Sequence, residues 1–168
     1  MAFSLRALYD AIDAQRQARG ISWAQVIAEM NGSASRSAGH RLSRSTVVGL
    51  RGRRVAEGDG VLQMIRWLKR TPESFIRGAE APAGPGTAWA SVPANKVLRF
   101  DTRKLHSAVD AHRQERDLSW KQAAAEIEVG TSVLTRLSGG GRTSFPQVMR
   151  ILGWLGSPTA EFTRLADR

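Results

Sequence analysis

Cysteine is absent from this 168-residue chain. The chain can therefore form no disulfide and no thiolate metal site, which is typical of a protein in a reducing compartment. No apolar run approaches the roughly 18 residues that a membrane-spanning helix needs. The N-terminal segment lacks the charged start and apolar centre of a signal peptide. From these absences we expect a cytoplasmic protein without membrane association.

Patterns that carry catalysis or bind cofactors are also missing. The three histidines are His40, His106 and His112, and the spacing of the last two places them on different faces of a helix. The sequence has no phosphate-binding loop, no nucleophile elbow and no paired-carboxylate motif. We therefore expect no enzymatic activity, no cofactor and no metal site.

Positive charge is what the chain has in excess. Lysine and arginine together number 25 against 15 aspartates and glutamates, which gives a net charge of +10 and a pI near 11.4. Such a balance indicates an acidic partner, either nucleic acid or an anionic membrane surface. Arginine predominates, and its planar guanidinium suits phosphate and guanine, although a GC-rich genome produces the same bias.

An internal repeat organises the sequence. The run Asp13–Arg19 precedes Ile21-Ser22-Trp23 in the way that Asp110–Arg116 precedes Leu118-Ser119-Trp120, at an offset of 97 residues. From Leu50 and Leu137 onwards the copies match at an offset of 87, so the first copy carries ten extra residues. We predict one domain at residues 1–77, with a Gly- and Ser-rich flexible insertion at 31–41, a Pro/Gly/Ala linker at 78–97, and a second domain at 98–168.

Each copy is expected to consist of five short helices. Ser22–Gln25 and Ser119–Gln122 both match the Ser-x-x-Gln capping box that begins a helix. We predict the third helices at Arg44–Arg51 and Thr131–Ser138. Side chains at helical spacing predict the first and fourth helices: Leu5, Leu8, Ile12, Val61, Met64, Ile65 and Leu68, and then Leu105, Val109, His112, Val148, Ile151, Leu152 and Leu155. Thr71-Pro72-Glu73-Ser74 and Pro158-Thr159-Ala160-Glu161 are predicted to begin a short last helix in each copy, with Phe75 and Phe162 facing inward. The predicted fold class is all-α.

The segment Leu118–Leu137 resembles the Cro/repressor-like (XRE-type) helix-turn-helix family. Ala124 matches the small residue at which the second and third helices of that family cross, and the apolar positions of its pattern are matched by Val129, Val133, Leu134 and Leu137. With the flanking helices the resemblance covers nearly all of Phe100–Arg164, and the first copy repeats it. It implies two small lambda-repressor-like domains whose third helices enter the major groove of DNA.

The resemblance also implies which residues contact DNA. Arg44 and Arg136 are candidates for bidentate guanine contacts, worth about 1–3 kcal/mol each, with a phosphate contact as the alternative. Trp23 and Trp120 depart from the family, which usually has a polar residue there. Each indole either packs in the core or donates its N–H to a phosphate. The complete predicted set is Arg36, Arg41, Arg44, Ser45, Thr46, Arg51, Arg53, Arg54, Trp120, Lys121, Gln122, Thr131, Ser132, Thr135, Arg136 and Arg142.

From these features we expect sequence-specific binding of double-stranded DNA by a nucleoid-associated transcriptional regulator, with repression favoured over activation. The copies differ at Arg44 against Thr131 and at Gly49 against Arg136, which predicts an asymmetric site. A monomer with an internal pseudo-dimer or a homodimer would bind it. The alternative is a protein-binding antitoxin or anti-repressor module on the same fold.

The two copies are expected to contribute unequally. Residues 1–77 carry a net charge of +7 and residues 98–168 a net charge of +3, so the first copy should supply more sequence-independent affinity. The insertion in the first copy has two interpretations. It either displaces the third helix and makes that copy degenerate, or it contacts DNA through an arginine-rich, acid-free stretch.

Overall fold

The computed structural model describes residues 3–32, 41–76 and 96–167. Over these ranges the chain is mostly helical, with one two-stranded sheet. The first copy contains α1 (Leu5–Ala18), α2 (Trp23–Asn31), α3 (Arg44–Val48) and α4 (Gly58–Leu68). The second contains α5 (Thr102–Glu115), α6 (Trp120–Ile127), α7 (Thr131–Ser138) and α8 (Phe145–Leu155). Short 3₁₀ helices lie at Gly49–Arg51, Pro72–Phe75 and Thr159–Phe162.

Equivalent helices of the two copies begin at equivalent residues. α5 begins and ends 97 residues after the corresponding ends of α1, and α8 begins and ends 87 residues after those of α4. Both predicted capping boxes are present. Ser22 Oγ accepts from the Gln25 amide and Ser119 Oγ accepts from the Gln122 amide, each at 3.3 Å. The reciprocal bonds from each serine amide to the glutamine side chain complete the boxes and fix the starts of α2 and α6.

A small antiparallel sheet departs from the all-α prediction. Strand β1 (Lys96–Phe100) pairs with β2 (Thr163–Asp167), and Phe100 lies opposite Thr163. The first copy makes the equivalent contact as a single antiparallel bridge between Phe3 and Ile76. β1 takes in Lys96 and Val97, which the sequence predicts as linker. A strand of five residues gives a weak local signal, because its stability comes from the partner strand and the core beneath it.

The third and last helices of the copies also differ from expectation. α7 has the predicted span, whereas α3 has only five residues and continues as the 3₁₀ turn Gly49–Arg51, so a single α-helix over Arg44–Arg51 is wrong. Gly49 lies where the geometry changes, and glycine weakens a helix by about 0.5–1 kcal/mol relative to alanine. The predicted last helices are 3₁₀ helices in both copies.

Side chains of both copies form one buried cluster. It contains the predicted inward-facing side chains of α1, α4, α5 and α8, except that His112 and Leu155 are only half-buried. Phe145 is fully buried, and its ring centroid lies 4.5 Å from that of Phe3 and 5.5 Å from that of Phe100. The start of α8 therefore packs against the first strand segment of both copies. None of the described helices is long and apolar enough to cross a lipid bilayer.

The copies meet through equivalent residues. Glu57 and Ser144, which correspond at the 87-residue offset, form an antiparallel bridge. On either side of it the Gly58 amide donates to the Thr143 carbonyl at 3.1 Å, and the Phe145 amide donates to the Ala56 carbonyl at 2.8 Å. Two equivalent bonds exchanged between equivalent residues indicate a local twofold axis. The junction between the copies is therefore approximately twofold symmetric.

Candidate nucleic-acid interface

Helix α7 has a buried face and an exposed polar face. Val133, Leu134 and Leu137 are 6%, 1% and 0% exposed, and they hold the helix on the core. Spacing of three and four residues places these apolar side chains on one side of a helix. The remaining side chains of the two central turns point to solvent, and they include the four predicted base- or phosphate-contacting residues Thr131, Ser132, Thr135 and Arg136.

Helix α6, which packs against α7, carries two more predicted residues. Lys121 and Gln122 are exposed in its first turn. The Gln122 side-chain oxygen accepts from the Ser119 amide at 2.9 Å, so the capping box orients this side chain. Ala124, buried to 2% exposure, is the small residue expected at the crossing with α7. A left-handed residue, Glu128 at φ 60°, ends α6 and allows a tight turn into α7.

Trp120, which begins α6, packs between two side chains of α5. Its ring stacks on His106 with the centroids 4.9 Å apart, and the Arg113 guanidinium lies 4.5 Å from its centroid on a cation–π contact. Trp23 repeats the arrangement with Tyr9 at 6.0 Å and Arg16 at 5.0 Å. Both indoles are half-buried, which favours the packing interpretation over a primary role in binding phosphate.

The equivalent surface of the first copy is formed by α3 and the residues after it. Arg44 and Ser45 are exposed and Thr46 is half-buried. Ser43 Oγ accepts from the Thr46 amide at 3.1 Å and lies 2.8 Å from both the Ser45 and Thr46 hydroxyls. These bonds hold the first turn of α3. The predicted serine and threonine contacts are therefore engaged at the helix cap, while Arg44 projects from it.

The insertion in the first copy does not shift the start of α3. Asn31, at the end of α2, is 6% exposed, and its side chain brackets the backbone of Leu42. Its Oδ1 accepts from the Leu42 amide at 2.8 Å, and its Nδ2 donates to the Leu42 carbonyl at 2.9 Å. α3 then begins at Arg44, the residue equivalent to Thr131 at the start of α7. Asn31 thus closes the chain around the insertion.

Further predicted arginines lie around the third helices. The exposed ones in the first copy are Arg41, Arg51, Arg53 and Arg54, and Arg142 is exposed on the equivalent loop of the second copy. Arg36 lies outside the described residues. The stretch 41–56 contains no aspartate or glutamate. The third helix of the first copy therefore lies within a surface segment of positive charge only.

A three-residue cluster that the sequence did not predict occurs in both copies. Glu29 accepts from both terminal guanidinium nitrogens of Arg19 at 2.7 Å and from the Trp67 indole at 2.8 Å. In the second copy Glu126 accepts from Arg116 and from the Trp154 indole in the same way. Each arginine also lies 5.7 Å from the centroid of its tryptophan ring. The equivalent clusters are Arg19–Glu29–Trp67 and Arg116–Glu126–Trp154.

These clusters tie the second helix of each copy to its fourth helix and to the end of its first. The hydrogen bond from Arg19, followed by that from Trp67, lowers the pKa of Glu29. The bond from Trp154, followed by that from Arg116, lowers the pKa of Glu126. Both carboxylates are therefore ionised and paired near neutral pH. All three residue types recur between the copies, and that recurrence was the signal available in the sequence.

No protein-family model, curated protein or solved structure matches this chain. Among the residues that the structure describes, no group of three or more histidine, aspartate or glutamate side chains could hold a metal ion. The interpretation of the site therefore depends on the exposed faces of α3 and α7 and on the charge around them.

Proposed function

We propose that the chain is a sequence-specific DNA-binding protein in which α2–α3 and α6–α7 form two helix-turn-helix units. The observation that carries this proposal is the exposed polar face of α7 opposite a fully anchored apolar face. A recognition helix needs both, since its leading side chains must reach base edges while its other face holds the helix on the domain.

Charge supports a polyanionic partner. The chain has a net charge of +10, and five arginines lie between Arg41 and Arg54 without an intervening carboxylate. The two acidic residues of the second helices, Glu29 and Glu126, are paired with arginines of their own copy. Neutralised carboxylates repel phosphate less, and the exposed arginines provide the counterion release that drives binding to DNA.

The twofold junction supports two half-sites in inverted orientation. Twofold-related helix-turn-helix units contact half-sites that are related in the same way, as in symmetric dimers on pseudo-palindromic operators. Since both copies share one buried cluster, a single chain presents both units in a fixed relation. The exchanges Arg44/Thr131 and Gly49/Arg136 favour unequal half-sites. Binding of the protein to such a site in the nucleoid would most simply repress transcription of the adjacent gene.

Selection of the intact chain on a random duplex library, followed by fluorescence anisotropy, tests the proposal. We expect binding whose logarithm falls linearly with the logarithm of the salt concentration. Arg136→Ala should weaken binding to the selected site about tenfold, which corresponds to one lost base contact. Absence of salt-sensitive duplex binding would contradict the proposal and favour the protein-binding alternative.

Arg70→Ala is the matched control. Arg70 is exposed and follows the far end of α4, a helix of 11 residues that begins at the junction beside the third-helix loop. At 1.5 Å per residue, α4 is about 16 Å long, and Arg70 lies beyond its far end. This variant removes the same charge as Arg136→Ala and should leave affinity and base preference nearly unchanged.

A further inference from the structure

Glycine and arginine occupy exchanged positions in the two third-helix regions. In the second copy the helix carries Arg136, and the loop after it carries glycine at positions 140 and 141. In the first copy the helix position is Gly49, and the loop carries arginine at positions 53 and 54. Each position corresponds to its counterpart at the 87-residue offset. The first copy therefore lacks an arginine at position 49 but has two on the loop, whereas the second copy has one on the helix and none at these loop positions.

In the first copy the Arg53 side chain folds back over Gly49. Its Nε, Cζ and Nη2 atoms lie 3.1, 3.3 and 3.5 Å from the position that a Cβ on Gly49 would occupy. Gly49 has φ −63° and ψ −19°, a conformation open to any residue. The backbone at Gly49 therefore does not require glycine. What the missing side chain provides is room for the Arg53 guanidinium against the end of the helix.

The second copy shows a related contact one loop position further along, since Gly141 corresponds to Arg54 rather than to Arg53. There the Arg136 side chain lies over Gly141, with Cγ 2.6 Å and Cδ 3.4 Å from the position of a Cβ on that glycine. In both copies an arginine side chain occupies the space between the end of the third helix and the loop, and a glycine faces it. Arg53 and Arg136 are both exposed beyond this contact.

We infer that Arg53 is the functional counterpart of Arg136 and determines base preference in the half-site bound by the first copy. This inference rests on the proposed DNA-binding function. It changes the role of Arg53 from one of several phosphate-contacting loop arginines to a residue that specifies sequence. It also means that glycine at position 49 does not cost the first copy a base contact. The space left by the absent side chain is occupied by the Arg53 guanidinium, which makes the contact instead.

Base preferences selected with the intact chain and three single variants test the inference. We expect Arg53→Ala to flatten the preferences of one half-site and Arg136→Ala to flatten those of the other, each with about a tenfold loss of affinity for the selected sequence. Arg70→Ala should retain both half-sites. Thermal unfolding followed by circular dichroism checks that each variant is folded.

Two substitutions at Gly49 separate the proposed role from a structural one. Gly49→Ala places a methyl carbon 3.1 Å from the Arg53 Nε, a tight contact that requires the guanidinium to shift. We therefore expect weaker binding and flattening of the same half-site as in Arg53→Ala. The same variant should unfold at a higher temperature, because alanine favours helical backbone over glycine. The triple exchange Gly49→Arg, Arg53→Gly and Arg54→Gly recreates the second copy's arrangement, with one arginine on the helix and glycine at both loop positions. It should restore affinity to within about threefold of the parent chain.

The outcomes distinguish the inference from the proposed function. If Arg53→Ala weakens all sequences equally and lowers the salt slope by about one, Arg53 contacts phosphate, and the inference is overturned while DNA binding stands. Unchanged affinity of Gly49→Ala also counts against it. If the parent chain shows no salt-sensitive duplex binding, the proposed function and the inference both fail.

Discussion

Asp59 shows how a single half-buried charge responds to its surroundings. Its Oδ1 accepts from the Phe100 amide at 3.2 Å, and Arg99 Nη1 lies 3.9 Å from its Oδ2. Burial raises the pKa of Asp59, and the neighbouring Glu57 carboxylate adds to this. The folded chain therefore binds a proton on the Asp59 carboxyl more tightly than the unfolded chain does. Protonated Asp59 stabilises the fold at pH values below the normal carboxyl pKa, and this stabilisation is lost as the pH rises through the raised pKa of the folded state.

Asp59→Asn should therefore stabilise the protein near neutral pH. Asparagine keeps a carbonyl oxygen for the Phe100 amide and carries no charge to desolvate. We expect a higher free energy of unfolding at about pH 7, and a difference that shrinks as the pH falls towards the normal carboxyl range near 4. Urea denaturation at both pH values measures this. A less stable variant at pH 7 would mean that attraction to Arg99 outweighs burial.

At the scale of secondary structure, the amide of Asn31 gives a direct test of how the insertion is closed. Asn31→Ala removes both bonds to Leu42 and leaves a buried amide and carbonyl without their partner. Each of the two unsatisfied groups costs about 1–3 kcal/mol, so we expect a loss of about 2–6 kcal/mol of unfolding free energy in urea.

Glu128→Ala provides the comparison for this change. Glu128 occupies the equivalent position at the end of α6 but is exposed. Its replacement should cost less than about 0.5 kcal/mol, as is usual for surface positions. Equal effects of the two substitutions would show that the Asn31 side chain does not hold the chain around the insertion.

Sequence predicts those elements whose signals are local. The capping boxes at Ser22 and Ser119 fix the starts of α2 and α6, and apolar spacing in α7 predicts which of its side chains are exposed. Strand β1 is not predicted, because it is stabilised by pairing with β2, which lies at the other end of the copy in sequence. Gly49 marks the point in the sequence where α3 ends. Its effect on the helix depends on what packs beside it, which the sequence does not give.

The candidate site divides in the same way. Exposure of Thr131, Thr135 and Arg136 follows from helical spacing alone. The position of Arg53 over Gly49 does not, since it depends on how the loop turns after the helix. The arginine–glutamate–tryptophan clusters join three elements, and only the fold gives a reason for their recurrence. Tertiary geometry, rather than local propensity, decides these features.

At the scale of the whole molecule, the shared core predicts one unfolding transition. Phe145 is fully buried between Phe3 and Phe100, and truncation of a buried phenylalanine to alanine costs about 3–5 kcal/mol. We expect Phe145→Ala to lower the stability of both copies together. Tryptophan fluorescence and circular dichroism should give coincident urea curves for the parent and the variant.

Val55→Ala is a suitable control for this measurement. Val55 is an apolar residue of the junction-side loop, but 62% of its surface is exposed, so its truncation should change stability little. Two separate transitions in the parent chain would contradict the prediction and would mean that each copy unfolds independently.

The bridge between Glu57 and Ser144 has a consequence for how the protein can change. In a homodimer every substitution appears twice, so both contact surfaces must alter at once. Here twofold-like contacts are made within one polypeptide, and a mutation in one copy leaves the other as it was. For the DNA-binding function proposed above, new target preferences can therefore be acquired one half at a time, with the unaltered half retaining affinity through each step.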